Sequence, residues 1–132
     1  MKPLIAIVVL VASLQSLAAG QNLSYRPDPK WHVPPETISR PNPLAQKPNL
    51  AGGGRKLFLR HCAECHGEGG HGLRHAADLQ LPVVQNQADG ALFWKITNGN
   101  PKHGMPGWSR LPELQRWQLV LFLRSLSSAQ SP

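Results

Sequence analysis

Both cysteines of this 132-residue chain lie in one run of five residues, Cys62-Ala63-Glu64-Cys65-His66. That spacing suits one chemistry closely. Two thiols three positions apart can each add to one vinyl group of a haem laid flat against the segment, and the next residue brings an imidazole under the ring for the iron. Other readings fit less well. A thioredoxin-like redox pair wants a βαβ surround, and none can be read here. A closed zinc site wants four ligands, which His71, His75 and His103 would have to complete. A disulfide across two intervening residues would be strained and would close almost no loop.

The N-terminus bears on compartment. Lys2 gives a short positive region, Leu4 to Leu14 is apolar apart from Ser13, and Ser16-Leu17-Ala18-Ala19-Gly20 offers small residues at signal-peptidase spacing. Residues 1–20 are expected to be a signal peptide, cut after Ala18 or Gly20. The alternative is an uncleaved anchor at the inner membrane. Its apolar run falls short of the ~20 residues of a spanning helix. No cysteine stands at the cleavage region, which argues against a lipid anchor. Export to the periplasm suits the motif, because bacteria attach haem to such cysteines outside the cytoplasm.

Residues 21–49 hold seven prolines, a density that disfavours helix interiors. Trp31, Val33, Ile38 and Leu44 follow neither a 3.6 nor a 2 periodicity. A Pro-rich linker is expected, either a flexible tether or a strap laid over the domain; a docking role for Trp31 is the alternative. Residues 127–132 are small and polar and are expected to form a flexible tail.

That leaves one domain, residues 50–126, too short to build a generous core from protein alone. A buried haem would supply what the sequence lacks. Three helices can be read. The first runs from Gly52 to His61 with Leu57 and Phe58 near one face. The second starts at Asp89, read as an N-cap, carries Leu92, Phe93 and Ile96, and ends at Asn98-Gly99. The third starts at Pro112 with Glu113 in its first turn. It places Leu114, Trp117, Val120 and Leu121 on one side and Leu119, Phe122, Leu123 and Leu126 around it. No segment alternates like a strand, so the fold expected is all-α, a small helical domain wrapped around a covalently bound haem.

A second iron ligand follows by elimination. With residues 1–20 removed, Met105 is the one methionine left, in Gly104-Met105-Pro106-Gly107-Trp108 between two helices. Met is a good core gap-filler. Its flanking Gly and Pro argue instead for a fixed backbone holding one thioether. His66 and Met105 would then fill both axial positions, and thioether ligation raises the potential relative to two imidazoles. His103 is the rival. His71 and His75 lie on the side already served by His66.

These residues together resemble a class I monohaem cytochrome c over nearly all of residues 50–126. The resemblance rests on Gly54 and Phe58, eight and four residues before Cys62, then Cys62, Cys65, His66, Gly67, Leu79, Met105-Pro106 and the closing Leu119 to Leu126. It implies that the first and last helices cross closely at Gly54, and that Phe58 packs on Leu119 and Phe122. One departure stands out. Where that family often has Gly-Pro after the haem motif, this chain reads Gly72-Leu73-Arg74-His75. A backbone carbonyl should still accept the second N–H of the iron-bound ring; Pro82 and its neighbours are candidates.

Charge is modest once divided. The whole chain carries +7, the linker +2, and the remaining domain and tail, with nine basic and five acidic residues, +4. Two ionised haem propionates would bring the last to about +2. Nucleic acid is a poor partner for such scattered charge. A basic rim would steer toward acidic patches on redox proteins. The function expected is single-electron transfer by one haem c, held through Cys62 and Cys65 with His66 and Met105 on the iron, between exported or membrane redox proteins. Six-coordinate iron leaves no substrate site, so no enzyme activity is expected. The alternatives are an electron-accepting cytochrome subunit of a dehydrogenase or oxidase, and a haem sensor or enzyme in which Met105 is displaced.

Overall fold

The computed structural model describes residue 22 and residues 24–128; the expected signal segment, residues 1–20, lies outside them. The helices are α1 Pro35–Ile38, α2 Ala51–His61, α3 Ala63–His66, α4 Pro82–Gln85, α5 Asp89–Asn98 and α6 Glu113–Ser128, with 3-10 turns at Pro48–Leu50 and Pro101–His103. Among the described residues there is no strand, only one isolated bridge between Asn100 and Met105. The fold is all-α, as expected. No helix among them is long and apolar enough to cross a membrane.

The centre of the fold is the crossing of α2 and α6. A Cβ built on Gly54 would come within 2.7 Å of the Gln118 carbonyl carbon, nearer still to its oxygen, and within 2.9 Å of Phe122 Cβ. Only glycine lets the two backbones meet there. Phe58 and Phe122 stack at a tilt beside it, ring centroids 5.0 Å apart. Trp117, Phe58, Leu119 and Val120 are fully buried. On the other side of α6, Phe93 of α5 lies nearly parallel to Trp117 at 3.9 Å. Arg124 ties α6 to the start of α5: its Nε donates to Asp89 Oδ1 at 2.7 Å and Nη1 to the Gln85 carbonyl at 2.6 Å, while Nη2 bonds the Gln87 carbonyl.

Several sequence expectations shift. The cap of α5 is Ala88, not Asp89. Asp89 is the first helical residue, its carboxylate drawn to Arg124 while its charge still favours the helix N-terminus. α6 begins at Glu113; Pro112 precedes it and accepts the first bonds from Gln115 and Arg116 N–H. Leu114 is 59% exposed and not part of the apolar arc. Ser127 and Ser128 continue α6 instead of forming the expected tail, and residues 129–132 lie outside the described residues.

The proline-rich segment lies on the helices as a strap. Its Leu44 and Asn42 are each only 6% exposed. Asn42 Nδ2 donates to the Trp117 carbonyl at 3.3 Å, and its Oδ1 accepts the Leu44 N–H at 2.8 Å. α1 packs on α5 at Gly90, where any side chain would strike the carbonyls of Thr37 and Ile38. Arg40 pairs with Glu113 of α6 at 2.8 Å and lies over the Phe93 and Trp117 rings. Trp31, considered for docking, donates its indole N–H to the Gly99 carbonyl within the chain.

Candidate haem site

α2 stops at Cys62, whose φ of −122° leaves the helix. The chain then makes the single turn α3, with the N–H groups of Cys65 and His66 both bonded to the Cys62 carbonyl, at 3.2 and 2.9 Å. This turn brings Cys62, Cys65 and His66 together. Neither cysteine is in a disulfide; Cys62 is half-buried and Cys65 exposed. Burial, then the neighbouring Cys65, pushes the Cys62 thiol up to about 12.

After Gly67 the loop doubles back on the motif. Gly72 N–H bonds the His66 carbonyl at 2.7 Å and Leu73 N–H bonds the Cys65 carbonyl at 2.9 Å. This brings Ala77 over the histidine, and His66 Nδ1–H donates to the Ala77 carbonyl at 3.0 Å. The sequence left the carbonyl open, with Pro82 and its neighbours as candidates. Pro82 opens α4, and its carbonyl is taken by the Asn86 N–H at 2.9 Å. The Ala77 bond fixes the tautomer: with the proton on Nδ1, Nε2 keeps its lone pair. Burial lowers the His66 pKa and the Ala77 bond partly offsets this, so the ring is neutral at physiological pH. A fixed, neutral imidazole with Nε2 available is what an iron ligand requires.

Met105 sits on the loop between α5 and α6, half-buried. Its backbone is pinned on both sides, Asn100 N–H to the Met105 carbonyl at 2.8 Å and Met105 N–H to the Asn100 carbonyl at 3.1 Å. Farther along the loop, Trp108 contacts the His61 ring at 4.7 Å and the Arg110 guanidinium at 4.3 Å. The rival His103 is exposed and faces Asp28, Nε2 to Oδ2 3.3 Å. His71 and His75 are exposed, and His71 meets Gln80. Among the described residues, no three His, Cys, Asp or Glu side chains gather to hold a metal.

The donor set therefore fits a haem. Two unpaired thiols stand one helical turn apart, an oriented imidazole follows them, and a single thioether stands on a pinned loop. What sequence reasoning missed is Ala77. The only hint was the glycine run between 67 and 72, whose Gly67, Gly70 and Gly72 take positive φ and turn the loop back.

Comparison with known proteins bears on the family. Residues 49–123 match the family described as Cytochrome C oxidase, cbb3-type, subunit III. A cbb3-type cytochrome c oxidase subunit FixPc of Rhizobium leguminosarum is 33% identical over 84 residues, 60% of this chain and 29% of that protein. The subunit FixP of Rhizobium etli is 33% identical over 82 residues, 58% of this chain and 28% of that protein. The chain thus spans under a third of the length of these relatives. With the matched segment covering more than half of it, this chain belongs to the cbb3-type cytochrome c oxidase subunit III family and is an electron-carrying cytochrome c with haem c as its cofactor.

Proposed function

We propose that this domain carries single electrons on one haem, which Cys62 and Cys65 would hold through thioether bonds and to whose iron His66 and Met105 would each supply a ligand. The observation that carries this reading is the His66–Ala77 bond, which presents Nε2 of a neutral ring beside two free thiols. When bound, the haem supplies reversible one-electron chemistry at iron. The protein's part is orientation and exclusion. Ala77 holds the His66 ring, the Asn100 bridge holds the Met105 backbone, and the α2–α6 crossing fixes where the motif starts. With His66 and Met105 both on the iron, no position would be left for a substrate, so the domain would relay electrons without itself converting a substrate. The high pKa of Cys62 keeps its thiol protonated in the closed fold.

The relatives' description as oxidase subunits favours service within an oxidase assembly on the outer side of the inner membrane, after export directed by residues 1–20. Arg60 and Arg110 both lie close enough to His61 to lower its pKa, a basic cluster at Trp108 beside the Met105 loop. This cluster suits an acidic docking patch on a redox partner.

Acidic organic extraction of the exported, denatured protein tests the attachment. Haem should remain with the polypeptide, one per chain; haem that leaves with the solvent overturns the assignment. Co-purification with oxidase subunits from native membranes tests the assembly.

A further inference from the structure

We propose that residues 24–31 form a clamp on the Met105 loop, with Asp28 and Trp31 as positioning residues that keep the thioether on the iron. The inference rests on Met105 being a ligand. The clamp lies outside the residues matched by the family, 49–123, so the helices common to that family do not supply it.

The contacts converge on the residues that hold Met105. Asn100, whose backbone makes both bonds of the bridge to Met105, donates its side-chain Nδ2 to Asp28 Oδ2 at 2.9 Å. His103 Nε2 meets the same oxygen at 3.3 Å. The other oxygen of Asp28 accepts the Lys30 N–H at 2.9 Å, which fixes the carboxylate from its own side. Trp31 Nε1–H donates to the Gly99 carbonyl at 3.0 Å, and its ring lies 4.5 Å from the Lys95 ammonium of α5. Gly99 backs directly onto Met105. Its φ is 63°, and a Cβ there would stand 2.5 Å from the Met105 carbonyl oxygen. Asp28 and Trp31 thus grip two consecutive residues, 99 and 100, that lie against the ligand's backbone.

A further contact reaches the opposite loop. Asn22 Nδ2 donates to the Ala76 carbonyl at 2.5 Å, one residue before the carbonyl that orients His66. Asn22 thus contacts the loop that orients His66, while Asp28 and Trp31 contact the loop that carries Met105. Contacts of this kind oppose separation of the two loops. Such separation would carry the Met105 thioether away from iron and admit another ligand.

The test uses the full-length haem-loaded protein and added imidazole, which binds only when Met105 has left. The apparent affinity for imidazole then reports the open fraction. The double variant Asp28→Ala/Trp31→Phe should bind imidazole about tenfold more tightly than the parent, the factor that about 1.4 kcal/mol produces. It should also lose the near-infrared methionine–iron band at a denaturant concentration that leaves helical circular dichroism intact. Each single variant should move the same way by less, which keeps the test alive if the double variant folds poorly. Arg40→Ala is the control: it frees the strap from Glu113 but leaves the loop grip in place. It should lower the melting temperature with imidazole affinity within about twofold of the parent. Equal imidazole binding by parent and clamp variants overturns the proposal. So does an equal rise in Arg40→Ala, which would mean that the strap acts only through general stability. A parent lacking the methionine–iron band overturns the ligand reading itself, and the clamp falls with it.

Discussion

Gly54→Val presses on the contact that organises the whole domain. The first added carbon would already stand 2.7 Å from the Gln118 carbonyl carbon and 2.9 Å from Phe122 Cβ. Comfortable carbon contacts are about 3.5–4.0 Å, so α2 and α6 must part by about 1 Å before the two further methyl groups are placed. The obstacle is helix backbone, which cannot swing aside as a flexible side chain would. The cost therefore belongs at the upper end of overpacking, about 3 kcal/mol. Parting also loosens the Phe58–Phe122 pair, about 0.5–1.5 kcal/mol more. Removing glycine from a helix interior returns about 0.5 kcal/mol. The net loss is about 3–4 kcal/mol, and at about 4–8 °C per kcal/mol the melting temperature should fall by more than about 12 °C. Haem should stay attached, since both cysteines are untouched. Thermal unfolding by circular dichroism, read beside the Soret absorbance of the same sample, measures both. A melting temperature within about 2 °C of the parent would mean that the helices do not meet at Gly54.

Other perturbations have equally definite outcomes. Arg124→Ala removes the three bonds that join α6 to Asp89, Gln85 and Gln87, and should cost about 2 kcal/mol of stability, read as a lowered denaturant midpoint, with the visible spectrum of the haem unchanged. The His61 pKa is lowered by burial, then by Arg60 and Arg110, below its ordinary 6.5. The unfolded chain therefore takes up this proton first as pH falls. The stability His61 contributes is complete above 6.5 and is lost as pH drops through the folded pKa. His61→Gln should flatten the stability–pH curve between about pH 7 and about pH 5, and a slope identical to the parent's would refute this reading.

How far the fold could be read before the structure depended on how local each signal was. Cys62, Cys65 and His66 speak through spacing alone, because the chemistry and the helical turn both act over five residues. Gly54 and Phe58 became legible only with Phe122 at the far end of the chain, through resemblance; nothing near Gly54 announces a crossing helix. The carbonyl over His66 was not legible. Its identity depends on three positive-φ glycines that swing the loop back, and Pro82 was already committed to starting α4. Leu44 and Asn42 were hidden for a different reason. A strap buries single residues where it touches helices, so it has no period to detect, and Asn42 is buried as a hydrogen-bond donor to Trp117. Leu114 failed in the opposite sense: it keeps helical spacing with Trp117 and Leu121, yet the first turn of α6 projects past the core and leaves it exposed. Asp89 has the right chemistry for a cap but is bound to Arg124, thirty-five residues away.

The near-infrared spectrum of the oxidised protein, parent against Met105→Ala, tests the central claim most directly. The parent should show the methionine–iron charge-transfer band. The variant should lack it, with a lowered potential and carbon monoxide bound by the reduced iron at the opened position. A variant whose spectrum and potential match the parent's would contradict the account, since the iron would then take its second ligand from elsewhere, with His103 as the first residue to replace.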